Sequence, residues 1–457
     1  MDLSQGLISL AWVPLASVGA PAWLGWSIVR RAAPSASRRA ALAFGYLIGQ
    51  FAMAHVTLLW LIADQPFPGA LLPLIGAATA IAIRGARPPA IARRAMPPLP
   101  VLIPLAFVLL SLLDAFTQTN ALPVRFGDEA DIWAAKAKVL FCSPGFHLSA
   151  GLHSFVSHPD YPLWNPLVQV LSFASAGSVL HWENRMPIQA FAIALALLLS
   201  ESLERRASPL VAGLELLAFA GTTFASSANA CTADVMLALS ALAAVEALLR
   251  HRDSQDSAFW ALGCVCLAAL LASKNEGSLV AIAIALPFAI DRWIRLGTRG
   301  VFGKGIFWLA LPLASIALHR GFNAYFGCTN DLFDPGVRGG LFGRVIGNLP
   351  ERSLPVARFY AEMLVDPERQ RWILLAFLIA AAALAGARRA APRILLAICG
   401  IALAGYMLVF VGTHADLEWH MLTAADRTVL HVLPLAAVGL AACLGEQASG
   451  SRPPQSA

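Results

Sequence analysis

Apolar runs close to membrane length recur along this chain, at 6–29, 41–63, 69–84, 98–117, 187–203, 209–226, 233–249, 258–273, 277–291, 305–319, 372–387, 394–413 and 428–445. That recurrence limits the fold more than any motif does. A hydrocarbon core about 30 Å thick takes roughly 20 apolar residues in helical form. Inside lipid the backbone must satisfy its own hydrogen bonds, which leaves helices for segments of this kind. Composition points the same way: 58% of the 457 residues are hydrophobic and only 13% are charged, with a mean hydropathy of +0.67. Soluble domains carry about 25% charged residues. A water-soluble enzyme, a disordered chain and a disulfide scaffold are therefore excluded. The expected fold is all-α, a polytopic transmembrane helical protein of about 13 spans.

Orientation follows from where the cations fall. The first run lacks a basic n-region, with Asp2 in its place, and Arg30 and Arg31 follow it; it reads as an anchor rather than a secretory signal. The run 166–180 is short, carries Ser172, Ser175, Gly177 and Ser178, and is followed by His181, Trp182, Glu183, Asn184 and Arg185. If it lies flat on the outer surface, Arg30/31/38/39, Arg84/87/93/94, Arg205/206, Arg250/252, Arg292/295/299, Lys304, Arg388/389/393 and Arg452 all face the cytoplasm, 20 of the 33 basic residues. If it spans, the later basic loops move outside. The positive-inside rule selects the first arrangement, so an interfacial helix is expected in the first large external loop. The N-terminus then lies outside and the C-terminus in the cytoplasm.

The chain divides into three N-terminal transmembrane helices over 1–95, a larger transmembrane module over 96–447 and a cytoplasmic tail over 448–457. The net charge of +6 resides in topogenic loops, so no nucleic-acid partner is expected. Seven cysteines include no CxxC pair and offer no zinc or redox motif.

The external segments are 118–186, 226–233, 274–276, 320–371 and 414–427. The first holds Arg125, Phe126, Gly127, Asp128, Glu129, Ala130, Asp131 and Trp133, followed by Lys136 and Lys138. Asp128 can cap a helix, with Asp131 one turn on and Lys138 two turns beyond. Three carboxylates in four residues exceed what capping needs. His158, Pro159, Asp160, Tyr161 and Pro162 form a rigid turn with an imidazole, a carboxylate and a ring. Asp234 reads most simply as the cap of the next helix. Lys274 and Glu276 share a short turn between two spans. Asp416, Glu418, Trp419 and His420 precede Arg427 at the start of the final span, where a cation opposes the helix dipole. The loop 320–371 is rich in Arg, with Arg338, Arg344, Arg352, Arg358, Arg369 and Arg371, and reads as solvated or as a dock for an anionic lipid or phosphate. His147, His153, His181 and His319 show no metal spacing.

A carboxylate base and several cations at a membrane surface suit transfer of a group from a lipid phosphate. The acceptor hydroxyl needs a base and the departing phosphate needs positive charge. Asp128 fits the base, while Lys138, Lys274 and Arg427 fit the donor phosphate. Trp133, His158, Asp160, Tyr161, Glu276, Trp419 and His420 are candidates for substrate contact.

At these positions the sequence resembles the GT-C membrane glycosyltransferases, in the branch similar to protein O-mannosyltransferases and the aminoarabinose transferase of lipid A (glycosyltransferase family 39-like). Gly127 to Asp131 resembles that family's acidic motif in the first external loop, and His158 to Leu163 its Lys-Pro-Pro-Leu-Tyr segment. Arg185 to Pro187 is similar to an Arg-x-Pro start of the next span, Lys274 to Gly277 to a Thr-Lys-x-x-Gly turn, and Asp416 to Arg427 to a stretch found in bacterial members. The likeness covers roughly 98–445. It implies a polyprenyl-phosphate sugar donor, a lipid, glycan or protein acceptor, inversion at the anomeric carbon, and transfer on the periplasmic or extracellular face. Asp128 would be the base, with Glu129 and Asp131 orienting it or binding a divalent cation. His158 and Asp160 stand where better-known members have Lys and Pro, and the chain is expected to lack the soluble C-terminal domain of some relatives. The Ala, Leu and Arg bias fits a bacterial inner membrane. A secondary transporter, an envelope polysaccharide polymerase or ligase, and a silent scaffold are the rival readings.

Overall fold

The computed structural model describes residues 12–63, 71–85, 96–121, 123–124, 127–143, 147–181, 183–222, 224–301, 304–330, 340–366, 372–383 and 390–449. The tail 450–457, Arg87, Arg93, Arg94, Arg125, Phe126, Trp182, Arg338, Arg369, Arg371, Arg388 and Arg389 lie outside the described residues. Helices account for 86% of the structure, and no strand occurs among the described residues.

The α-helices are α1 (Ala20–Ala32), α2 (Arg38–Ile62), α3 (Leu71–Gly85), α4 (Leu99–Asn120), α5 (Ala135–Cys142), α6 (Ser149–Phe155), α7 (Trp164–Ala176), α8 (Met186–Glu204), α9 (Pro209–Ala220), α10 (Phe224–Asn229), α11 (Asp234–Ser254), α12 (Ser257–Ser273), α13 (Gly277–Val301), α14 (Ala310–Phe326), α15 (Gly340–Val365), α16 (Ile373–Ala383), α17 (Ala390–Val411) and α18 (Leu417–Ser449). Their starts follow local chemistry. Ser37 accepts from the Ala40 amide to open α2, Ser208 from Val211 to open α9, and Asp256 from Ala258 to open α12, each relieving an orphan N–H.

Seven helices among the described residues are long and apolar enough to cross a membrane: Trp12–Ala32, Arg38–Ile62, Leu99–Asn120, Met186–Glu204, Gly305–Phe326, Ala390–Val411 and Leu417–Gly445. The other six apolar runs take different forms. Four are shorter helices, α3, α9, α12 and α16, while α11 and α13 are long but carry charged residues at their ends. On α4, Leu99, Ile103, Phe107, Leu110 and Leu113 form an exposed apolar stripe, each at least 50% accessible. A face of this kind suits a membrane-crossing helix of this length and hydropathy.

At the centre stands α11, buried at every residue from Asp234 to Arg250 and packed against α8, α12, α13 and α18. The first two helices, α1 and α2, meet each other by close backbone contact. A Cβ on Gly25 would sit 1.7 Å from the Gly45 carbonyl oxygen, and one on Gly49 only 1.8 Å from that of Pro21. The Gly45-x-x-x-Gly49 pair lets α1 and α2 approach as small residues do in membranes.

Two expectations need correction. The segment 166–180 is not an interfacial helix: α7 is buried from Trp164 through Ser175, whereas a helix floating at an interface keeps one wet face. At 1.5 Å per residue it is about 20 Å long, too short to span. The loop 320–371 is also more than a solvated connection. Within α15, Arg344 Nε, Asn348 Nδ2 and Arg352 Nη1 donate to the carbonyls of Gly412, Val411 and Thr413 at 2.8, 3.1 and 2.8 Å. These arginines satisfy the C-terminal carbonyls of α17, as cations at a helix end do.

Candidate functional site

Gly127 adopts φ 64°, a left-handed turn that costs glycine little, and delivers the chain into a π-helical turn over Glu129–Ala134. Asp128 stands at its head. Its carboxylate caps nothing; Oδ2 instead accepts from Arg427 Nη1. Arg427 lies well inside α18 rather than at a helix start, so the dipole conflict expected for it does not arise.

Behind this pair sits Asp234, 1% exposed at the start of α11. Its Oδ1 is 2.9 Å from Lys274 Nζ and 3.0 Å from His431 Nε2, and its Oδ2 lies 4.0 Å from Arg427 Nη1. Lys274 Nζ is also 3.0 Å from Glu276 Oε1. His431 Nδ1 is 2.7 Å from the Tyr406 hydroxyl. Asp234 makes no capping bond, so the reading of it as a simple helix cap is overturned. It is the pivot of the cluster.

Three carboxylates and two cations thus meet at one end of the bundle, drawn from segments up to 299 residues apart. Exposure grades inward: the side chains of Asp128 and Arg427 are 41% and 30% accessible, those of Lys274 and Asp234 6% and 1%. Burial works against the Lys274 charge, but Asp234 and Glu276 outweigh it and hold the amine above the usual lysine range. Arg427 Nε, Asp234 Oδ2 and Glu276 Oε2 are buried without a hydrogen-bond partner among the described residues, a condition that favours a polar ligand atom.

Glu129 turns away from Asp128. It takes Arg185 Nε at 2.5 Å and Nη2 at 3.0 Å, and accepts the Cys231 amide at 3.0 Å. Arg185 Nη1 also reaches the Thr119 carbonyl at 3.1 Å. Glu129 is therefore the anchor of the π-helical turn, not a partner of the base. Asp131 is exposed, and what it contributes is its carbonyl, which accepts the Ser157 amide at 3.0 Å. The three carboxylates of the acidic motif do not converge, and among the described residues no group of three or more His, Cys, Asp and Glu is placed to hold a metal.

Lys138 makes no hydrogen bond or ion pair among the described residues and is not part of the cluster. The lysine that faces inward is Lys136, fully buried, donating to the Pro159 carbonyl at 2.6 Å and to that of Tyr161. Burial pushes its amine down to about 8. It pins the His158–Pro162 turn. Asp160, buried as well, accepts from Asn275 and Asn330 at 2.6 Å each, and its carbonyl from Asn323 at 2.9 Å. Both groups are structural clamps rather than free substrate contacts.

The rings divide in the same way. Trp133 is 1% exposed and stacked on Tyr161 at 5.3 Å and 15°, so it cannot also stack on a sugar; Tyr161 and His158 are only half-buried beside it. Trp419 is 61% exposed. His420 is held by Thr413 Oγ1 at 2.8 Å and by the Phe410 ring at 4.8 Å.

No family model, curated protein or solved structure matches this chain. The chemistry must be read from the cluster itself. There the sequence had marked Asp128, Lys274, Glu276 and Arg427 but passed over His431 and Tyr406. Their signal was present, since a polar ring inside an apolar span marks a functional position by default.

Proposed function

We propose that this protein is an integral membrane glycosyltransferase of the GT-C type, moving a sugar from a polyprenyl-phosphate donor to a lipid, glycan or protein acceptor. In this reading the chain crosses a bacterial inner membrane about 13 times, with its cluster on the periplasmic face. The observation that carries it is the convergence of Asp128, Lys274 and Arg427, with Asp128 and Arg427 accessible at the mouth and Lys274 behind them.

Transfer needs one displacement. The acceptor hydroxyl oxygen bonds to the anomeric carbon as the bond from that carbon to the phosphate oxygen breaks, and the configuration inverts. The hydroxyl proton passes to Asp128, and the electron pair leaves on the polyprenyl phosphate. Arg427 and Lys274 offset that charge in a poorly hydrated site, where fixed cations act most strongly. Arg427 serves two partners in turn: it neutralises Asp128 before the donor arrives, then moves its charge toward the phosphate and frees the carboxylate. Glu129 and Arg185 hold the turn that aims Asp128.

A transporter is the second reading, favoured by the buried contact of Asp234 with His431, because ionisable groups within a helix bundle mark ion pathways. Mass spectrometry of envelope lipids and glycans separates the two. Cells lacking the protein should lose one sugar mass, regain it with wild type, and fail to regain it with Asp128→Asn, which inserts normally. Matching profiles, or restoration by the Asn variant, would remove the transferase mechanism and leave transport ahead.

A further inference from the structure

The charged cluster has a rear wall that the transfer step does not use. Asp234 cannot hold its two cations by position alone, because a carboxylate rotates about its last bond. What fixes it is the imidazole of His431 on α18, 3.0 Å from Oδ1. His431 is itself fixed by the Tyr406 hydroxyl on α17, 2.7 Å from Nδ1. Both side chains are buried, at 0% and 1% exposure. The hydrogen-bond directions follow from the partners. An ionised carboxylate only accepts, so His431 Nε2 carries the hydrogen; Nδ1 of the neutral ring then accepts from the tyrosine O–H. With Oδ1 occupied by Lys274 and His431, the free Oδ2 is left facing Arg427 at 4.0 Å.

We infer that His431, locked in its Nε2–H tautomer by Tyr406, is a positioning residue that orients Asp234 and through it sets the spacing of Lys274 and Arg427 for a phosphate. The inference rests on the donor reading above only for the phosphate; the coupling stands on geometry, and the tautomer on that geometry with a neutral ring. Neither ring touches the reacting atoms. Their effect is on where two cations sit before the ligand arrives, the preorganisation on which electrostatic stabilisation depends.

The test uses the full-length protein in detergent, with farnesyl phosphate as the probe and calorimetry as the readout. His431→Phe should weaken binding about tenfold, the scale of a lost hydrogen bond to a charged group. His431→Gln keeps an N–H donor and should bind within about threefold of wild type. Tyr406→Phe should weaken binding by itself but add nothing to His431→Phe, since both act through one contact. Wild-type affinity in His431→Phe, or additive losses in the double variant, overturns the inference; should the Phe variant not fold, His431→Gln and Tyr406→Phe still decide it by the same comparison. The tautomer is read independently by 15N NMR of histidine-labelled protein, with His431→Gln assigning the signal. A neutral Nε2–H ring that loses its preference in Tyr406→Phe is expected, and an Nδ1–H ring in wild type overturns the inference. Absence of farnesyl phosphate binding in wild type sinks the donor reading instead, and the NMR result still decides the positioning of Asp234.

Discussion

Lys136 shows what a single side chain does in the outer loops. Its amine lies under Pro159 and Tyr161, and burial brings it down to about 8 from the ordinary 10.5. Between those two values the unfolded chain holds a proton that the folded chain has released, so folding stability rises with pH across the window. Relative to Lys136→Met, which cannot titrate there, wild type should gain about 3 kcal/mol between pH 8 and 10.5; melting temperatures in detergent at several pH values measure it, and parallel curves would contradict it. The residue is also instructive about legibility. Asp128, Lys274 and Arg427 were visible in the sequence because charged groups beside apolar runs are expensive and therefore conspicuous. Lys136 was not, because an α-helical count from Asp131 selects Lys138. Asp131 is itself exposed, so a residue two α-helical turns on from it shares its outward side, and the lysine that turns inward is Lys136.

The π-helical turn over Glu129–Ala134 is the element on which Asp128 depends, and its anchor is an ion pair with one buried partner, Arg185, whose side chain is 4% exposed against 14% for Glu129. Removing one partner of such a pair leaves an uncompensated charge, at a cost of about 3–5 kcal/mol. Removing both with apolar groups of similar size is often nearly neutral. Arg185→Met should therefore lower the melting temperature strongly, and Arg185→Met with Glu129→Met should recover most of the loss. The sugar product should stay low in both, because neither variant holds the turn. Full product in the double variant would show that the pair serves stability alone. Pairings of this kind escape a reading by spacing, since Glu129 and Arg185 stand 56 residues apart and are brought together by a chain that folds α7 into the interior. The same folding explains why α7 misleads from sequence: its apolar and small residues suit a lipid interface and a protein interior equally, and only packing against α2, α5 and α8 decides between them.

Across the whole molecule, α11 ties two charged layers together. Asp234 opens the helix within the outer cluster, and sixteen residues on, about 24 Å along the axis at 1.5 Å per residue, Arg250 closes an ionic network at the other end. There Glu246 lies 2.7 Å from Arg250 and 2.8 Å from Arg206, and Arg39 reaches Glu201 at 3.4 Å. A separation of this size is close to the hydrocarbon thickness of a bilayer, and in the proposed reading the two layers therefore sit near its two surfaces. In the same reading the positive-inside rule would assign the arginine-rich end to the cytoplasm and the Asp128 cluster to the outer face, where a lipid-linked donor would be met. Two thiols test this assignment. Cys142 is exposed in the outer loop, whereas the other described cysteines are buried. In spheroplasts a membrane-impermeant maleimide should label Cys142 directly. A cysteine introduced as Ser254→Cys in a Cys142→Ser background, at the exposed C-terminal end of α11, should react only after permeabilisation. The reversed pattern would turn the molecule over, put Asp128 in the cytoplasm, and make nucleotide-activated donors rather than polyprenyl phosphates the chemistry to examine at this cluster.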